Sequence, residues 1–441
     1  MFSNADLKRL IVPLFLEQLL TILVGLADTL IISFVGESAV SGVSLVNSFN
    51  TIFIYLFTAL SSGGAVIVSQ YIGSRREEEA GEAASQLLMI STAFSLVIMV
   101  AVLLSGRSLL RLMFGRVEEE VMDACIVYLR ISAYSYPALA VYNAGSALCR
   151  SIGKTSVTMY IAVISNLINV IGNGIGVFLL HGGVAGVAYP SLIARIFSAA
   201  AVTIVCFQKK NGVYYQKEWI GQWNGELLRR ILGIAVPNGL EQGIFQFVKV
   251  ALSSIVALFG TCQIAANGIA QSIWSLAALV CVAMGPVFIT VIGQCMGAGD
   301  AGQAEHYFRK LIRITLGISV LWNGVIFAVT PVLMGFFEVA QETRQLTVWL
   351  VLIHNLFNCV VFPFADPLGK GLRAAGDVKF TMAVSIASTI GGRLAFSVLF
   401  GMVFGMGVIG IAFAMCLDWC IKAAVFYWRF RAGNWKQYQL I

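Results

Sequence analysis

Five carboxylates sit inside stretches otherwise fit for hydrocarbon: Glu17, Asp28, Glu241, Asp366 and Asp418. Five bases share that setting: Arg130, Arg195, Lys249, Arg393 and Lys422. An ionisable side chain at the centre of a bilayer costs about 2.5–3.5 kcal/mol even on lenient insertion scales, so such groups face a cavity or a partner. Glu17 and Asp28 are about three helical turns apart and, at roughly 100° per residue, fall on nearly the same face. Asn166, Asn169 and Asn173 recur at spacings of three and four and form an amide stripe. Carboxylate and amide oxygens together suit a hard cation, and a carboxylate in such a place alternatively carries a proton. Asp28, Asn169 and Asn173 are therefore a candidate Na+ or proton site, with Glu17 on the same face. The asparagines would equally serve as hydrogen-bonding glue between helices. No His-rich, Ser/His/Asp or metal-ligand constellation points to catalysis, so no enzyme and no cofactor beyond a coupling ion are expected.

The elements that must hold these residues follow from composition. With 59% hydrophobic and 12% charged residues over 441 positions and a mean hydropathy of +0.86, the chain reads as an all-α polytopic membrane protein. Apolar runs of about 20 residues alternate with polar punctuation. They place about twelve transmembrane helices near 10–34, 44–68, 84–105, 121–146, 158–180, 184–207, 231–257, 264–291, 311–333, 343–367, 380–401 and 408–428. The first run is too long for a signal-peptide core and is expected to remain as a span. The nine cysteines lack C-x-x-C or zinc spacing and read as small apolar residues.

Charge sets an expected orientation. If the spans alternate, about 20 basic residues, from Lys8 and Arg9 through Lys209 and Lys210 to Arg429 and Arg431, fall on one side, against Arg107, Arg111, Arg116 and Arg344 on the other. The first side is then cytoplasmic, with both termini inside, in a multi-pass protein of the cytoplasmic membrane. This bias accounts for the net charge of +7 without a nucleic-acid partner.

Internal repetition divides the chain. Val12-Pro13-Leu14-Phe15-Leu16-Glu17-Gln18 returns as Val236-Pro237-Asn238-Gly239-Leu240-Glu241-Gln242. The V-S-Q-x-x-G stretch from Val68 to Gly73 is echoed from Ile292 to Gly297. Leu148-Cys149-Arg150-Ser151-Ile152-Gly153 is echoed by Gly371-Leu372-Arg373-Ala374-Ala375-Gly376, and the run Gly183–Ala188 by Gly407–Ala412. Four echoes in order at a near-constant offset imply duplication. Six spans separate each pair, so equivalent helices cross in the same sense. The expectation is two six-helix bundles related by a pseudo-two-fold axis along the membrane normal, with a cleft suited to alternating access. The N-terminal bundle would cover 1–207, a cytoplasmic linker 208–230, and the C-terminal bundle with a short cytoplasmic tail 231–441. The linker, with Trp219 and Trp223, reads either as an interfacial helix or as a plain connection. Pro13 and Pro237 read either as first-turn prolines or as flexible points. Arg150 and Arg373 are placed to meet carbonyls at helix ends.

The run Leu26-Ala27-Asp28-Thr29-Leu30 followed by Gly36 and Val40-Ser41-Gly42-Val43, with the repeated V-S-Q-x-x-G, L-x-R-x-x-G and G-V-A-G-x-A stretches, resembles the multidrug and toxic compound extrusion (MATE) family over essentially the whole chain. The resemblance implies a secondary active antiporter that exports organic, cationic or amphipathic compounds in exchange for Na+ or H+. It also implies a small-molecule drug and the bilayer as partners, with a monomer as the working form. Glu241 looks like a glutamate that some members use for cation coupling, and Asp366 looks like their second acid. Na+ at Glu241 and Asp366 is thus the alternative to the N-terminal site, and Asp28, Glu241 and Asp366 are candidate substrate-binding acids. Some members carry N-x-x-x-D where this chain has Asn169-Val170-Ile171-Gly172-Asn173, so the position matching the aspartate is neutral. An alternative within the wider superfamily of multidrug, oligosaccharidyl-lipid and polysaccharide exporters is a flippase for lipid-linked oligosaccharide or polysaccharide. Such a protein needs cations facing the cleft to hold a diphosphate, and the few intramembrane arginines weigh against it.

Overall fold

The structure, a computed structural model, describes residues 2–114, 118–335, 339–438 and 440–441. Arg116, one of the four basic residues assigned to the less basic side, lies outside the described residues. Sixteen α-helices carry the fold, with no strand among the described residues. Among the described residues ten helices are long and apolar enough to cross a membrane, or up to twelve spans where each of two bent pairs counts as one.

The first compact unit, Phe2–Gly239, begins with α1 (Asn4–Ser33), α2 (Glu37–Gly73) and α3 (Glu77–Phe114). Then come α4 (Glu119–Tyr134), α5 (Tyr136–Ser151), α6 (Thr155–Gly174) and α7 (Ala185–Cys206). α2, α3 and the α4–α5 pair outrun their hydropathy windows at both ends, because hydropathy marks only the stretch in hydrocarbon while a helix propagates beyond it. The span expected at 121–146 is α4 and α5, bent by 45°. Its bend is at Ser135, where Pro137 in the first turn of α5 withholds a donor. The last turn of α6 continues as a π-helical stretch, Ile175–Leu179. Ser3 and Asp6 form a capping box at the start of α1, satisfying the first free N–H groups.

The second unit, Leu240–Ile441, takes the latter part of α8 (Gly225–Ala257), then α9 (Thr261–Ala277), α10 (Leu279–Gly297) and α11 (Ala301–Gly335). It continues with α12 (Gln341–Val360), α13 (Phe362–Ala365), α14 (Pro367–Ala374), α15 (Val378–Ala387) and α16 (Val408–Ala432). The expected span 343–367 is α12 bent by 58° into α13 and α14, at Pro363 and Pro367. After α15 the chain stays helical but in π geometry, over Ser388–Ala395 and again over Val398–Val403.

All eight prolines fall within helices. Pro13 and Pro237 are therefore not first-turn prolines. α1 starts nine residues ahead of the first and α8 twelve residues ahead of the second. Pro13 cannot donate to the carbonyl of Arg9, and the Thr155 hydroxyl donates to it instead at 2.8 Å. A neighbouring hydroxyl thus repairs the gap that an interior proline leaves. The linker contains two short 3-10 turns, Lys209–Asn211 and Lys217–Trp219, before α8 begins at Gly225, so the stretch with Trp219 and Trp223 forms no continuous helix. Gly212 and Gly221 adopt positive φ there, and the segment is tied to α3 by bonds from Gln86 to the Gln222 carbonyl (2.6 Å) and from Asn224 to Glu82 (2.7 Å). Polar groups of α3 take up backbone that a surface helix would have kept for itself.

Apart from V-P-x-x-L-E-Q, which lies inside α1 and α8, the echoed motifs are helix ends. Gly153 and Gly376 have φ of 79° and 104°, a left-handed conformation that favours glycine. Beside them Lys154 N–H donates to the Cys149 carbonyl, and Asp377 N–H to that of Leu372. Gly176 and Gly186 bring π-helix and α7 together so closely that a Cβ on Gly176 would lie 2.0 Å from the Gly186 oxygen. Small residues at this crossing let the backbones touch. Each unit buries its own apolar cluster, one around Val46, Phe57 and Tyr136 and others around Ala270, Leu350 and Trp419. Large apolar side chains such as Leu104 (84% exposed) point outward, as lipid-facing helices require.

Candidate functional site

Two kinds of carboxylate emerge, separated by what surrounds them. Glu17, one turn beyond Pro13 on α1, is buried. Arg150 at the end of α5 donates to its Oε1 at 2.7 Å and Thr158 in the first turn of α6 donates to its Oε2 at 2.9 Å. The second half repeats this arrangement. Glu241 on α8 accepts from Arg373 on α14 at 2.5 Å, and the Nε of Arg373 donates to Thr381 on α15 at 3.2 Å. The paired arginines reach the paired glutamates, while the last carbonyls of α5 are met by the N–H groups of Ile152, Gly153 and Lys154. Each clamp ties three helices at the end of the spans that carries the basic-rich loops. Asp366, at the break between α13 and α14, pairs with Lys370 one turn on at 2.7 Å. Glu241 and Asp366 thus each have a cation of their own, and the structure records no bond between them.

Asp28 is different. It lies near the far end of α1, half-buried, and its Oδ1 accepts from the Asn173 amide on α6 at 2.7 Å. The same amide also reaches Asn169 Oδ1 at 3.2 Å, and Asn169 donates to Ser191 Oγ on α7 at 2.8 Å. A polar chain therefore crosses three helices, and it forms because α6 packs against both α1 and α7. Asn173 is fully buried, yet its Oδ1 has no hydrogen-bond partner. Among the described residues Asp28 Oδ2 also accepts no hydrogen bond. Arg195 on α7 lies within electrostatic reach of Asp28 and is held by the Ser135 hydroxyl at 2.6 Å. The site therefore offers two uncommitted oxygens, a fixed orientation for the carboxylate, and a cation set back from it. Such oxygens can take a hard cation or a proton.

The spacing argument placed Asp28, Asn169 and Asn173 together, and the structure brings all three into one network. Asn166, third in the stripe, is not part of it, and its Nδ2 is buried without a partner. Glu17, although on a related face of α1, belongs to the clamp. Ser191, Thr158 and Thr381 were not among the expected residues. Thr158 and Thr381 occupy equivalent repeat positions, which is the signal that would have found them. Ser191 follows the G-V-A-G-x-A stretch without any charge to mark it. Among the described residues no group of three or more His, Cys, Asp or Glu is placed to hold a metal ion.

The MatE family profile matches the chain twice, over residues 13–175 and 237–399. The uncharacterized transporter YisQ of Bacillus subtilis is 27% identical over 96% of this chain and 93% of its own length. A probable multidrug resistance protein NorM of Thermotoga maritima is 22% identical over 98% of this chain and 93% of its own length. In three dimensions, a MOP superfamily transporter from Pyrococcus furiosus superposes with a TM-score of 0.90 at 22% identity, over 97% of this chain and 95% of that one.

Proposed function

The chain belongs to the MATE family of membrane transporters, and on that premise we propose that it is an antiporter that exports small organic, cationic or amphipathic compounds in exchange for Na+ or H+. The observation that carries the coupling role is the Asp28–Asn173–Asn169–Ser191 chain, with its two uncommitted oxygens on Asp28 and Asn173. In this reading Asp28 binds the coupling ion, and Asn173 orients the carboxylate and contributes its own oxygen when that ion is Na+. The other site acids carry less of the exchange: Glu17 and Glu241 are committed to Arg150 and Arg373, and Asp366 to Lys370. One charge moving down 100 mV supplies about 2.3 kcal/mol, enough for one or two ions to support a useful drug gradient by alternating access. The basic-rich loops support a cytoplasmic location for both termini and for the clamps.

The test is export of ethidium from proteoliposomes under an imposed Na+ gradient and, separately, a proton gradient. Asp28→Asn is expected to abolish gradient-driven export with whichever ion drives the unaltered protein. Full export by the variant would overturn the assignment. The flippase reading gains one specific observation, the buried bases of the C-terminal half. Competition of ethidium export by a polyprenyl diphosphate would favour it.

A further inference from the structure

The C-terminal half concentrates charge where the N-terminal half has Asp28. Asp418 on α16 is fully buried and already committed. Its Oδ1 accepts from Ser388 Oγ at 2.6 Å, and Lys422 one turn on contacts Oδ1 at 2.9 Å and Oδ2 at 3.2 Å. Lys422 also donates to Thr389 at 3.0 Å. Arg393 is 6% exposed and sits on the π-helical stretch Ser388–Ala395. Its Nε lies 3.2 Å from Asp418 Oδ2 without the alignment of a hydrogen bond. Its guanidinium is packed over the Phe245 ring at 4.9 Å. Among the described residues the guanidinium makes no hydrogen bond, although it carries five donors. Lys249 on α8 is exposed within the same electrostatic neighbourhood. Glu241 lies within reach of Lys422 but is bound by Arg373. Arg393, Lys422 and Lys249 therefore share a single acid, Asp418, which leaves two positive charges in excess. His354 on α12, 1% exposed and near Arg393, has no hydrogen bond at either ring nitrogen.

Two observations argue that this excess is functional. Each uncompensated charge in a span is costly, and a structural pair would have been balanced one for one. π-helical segments are rare and gather at functional sites. The stretch Val398–Val403 has a repeat partner in Ile175–Leu179, whereas Ser388–Ala395, which carries Arg393, has none. At the repeat position of Arg393 the N-terminal half has Val170.

We propose that Arg393, Lys422 and Lys249 form an anion-binding site in the C-terminal half, taking the carboxylate, sulfonate or phosphate group of an amphipathic substrate. A planar guanidinium with unused donors matches such a group, and the lysines add charge to it. The substrate class becomes zwitterionic or anionic amphipaths in addition to plain cations. This role rests on the transport reading, while the binding itself does not.

The experiment compares two dyes that differ only in the anionic group: rhodamine 110, which has a free carboxylate, and rhodamine 123, its methyl ester. Binding is followed by fluorescence anisotropy with the full-length protein in lipid nanodiscs. Arg393→Gln and Lys249→Gln are each expected to weaken rhodamine 110 by about tenfold, while rhodamine 123 changes by less than about twofold. Arg393→Lys is expected to recover most of the loss. Lys249 is exposed, so its substitution tests the site even where the Arg393 variants do not fold. Equal losses for both dyes, no loss for either, or no binding of rhodamine 110 to the unaltered protein would each overturn the proposal. Failure of the unaltered protein to export rhodamine 123 under any ion gradient would instead count against the transport reading, because it leaves the binding comparison intact.

Discussion

Replacing Arg150 with methionine removes one side of the N-terminal clamp and leaves the Glu17 carboxylate in place. The geometry sets the magnitude. The Glu17 side chain is 7% exposed, and the bond it loses is 2.7 Å long. Only the Thr158 hydroxyl at 2.9 Å remains as a donor. Removing one partner of a buried pair costs about 3–5 kcal/mol, most of it the penalty of stranding the other charge. Glu17→Gln keeps one acceptor oxygen for Arg150 and turns an N–H toward Thr158, whose hydroxyl can accept it, and should cost about 1–3 kcal/mol. Because the stranded charge is absent from the double variant, Arg150→Met combined with Glu17→Gln should be more stable than the sum of the single losses by about 2 kcal/mol. Units of roughly 200 residues shift by about 2–4 °C per kcal/mol, which puts Arg150→Met at about 6 °C or more below the parent. Thermal unfolding of the purified protein in detergent, read by fluorescence-detected size exclusion, measures all four members of the cycle. The C-terminal clamp provides a second determination with Arg373→Met, since Glu241 and Arg373 are comparably buried at 15% and 11%. A shift below about 1 °C for Arg150→Met, or strict additivity of the two substitutions, would refute the claim that these glutamates are committed to their arginines.

Three further outcomes follow from the same contacts. Thr155→Val strands the Arg9 carbonyl that Pro13 leaves open and should destabilise by about 1–3 kcal/mol; the loss should shrink when Pro13→Ala restores the backbone bond, measured by the same melting assay. Gly176→Ala drives a methyl group into the Gly186 carbonyl and should abolish folded, monodisperse protein on size exclusion, whereas Gly174→Ala, which meets nothing within 4 Å, should be tolerated. Arg75 holds φ of 60° where its repeat counterpart is Gly299 at 72°, so Arg75→Gly should raise the melting temperature slightly, reflecting relief of about 1 kcal/mol of backbone strain.

Much of the fold is legible in the chain because it depends on local chemistry. Twelve spans follow from runs of apolar residues, and the duplication follows from motifs such as V-P-x-x-L-E-Q. The polar stripe of α6 was visible because Asn169 and Asn173 share one helix, where spacing alone fixes the face. The helix breaks at Ser135 and Val361 were less visible, since a proline in an apolar run is equally compatible with a kink and with a continuous span. The roles of Arg150 and Arg373 were misplaced at helix-end carbonyls for the same reason: their partners are on other helices.

The sequence by itself therefore determined the membrane class, the number and order of the spans, the duplication and the identity of every costly intramembrane charge. It could do so because a bilayer filters residues one at a time, by transfer free energy. Only the tertiary structure decided which charge meets which. Arg150 reaches Glu17 across 133 residues, Asn173 reaches Asp28 across 145, and Arg373 reaches Glu241 across 132. In a soluble helix the polar face points away from the core and betrays its orientation. In a membrane bundle the lipid-facing and core-facing sides are both apolar, so pattern does not disclose neighbours. Packing of whole helices fixes them, and that packing separates two glutamates clamped by arginines from Asp28, which is held by an amide.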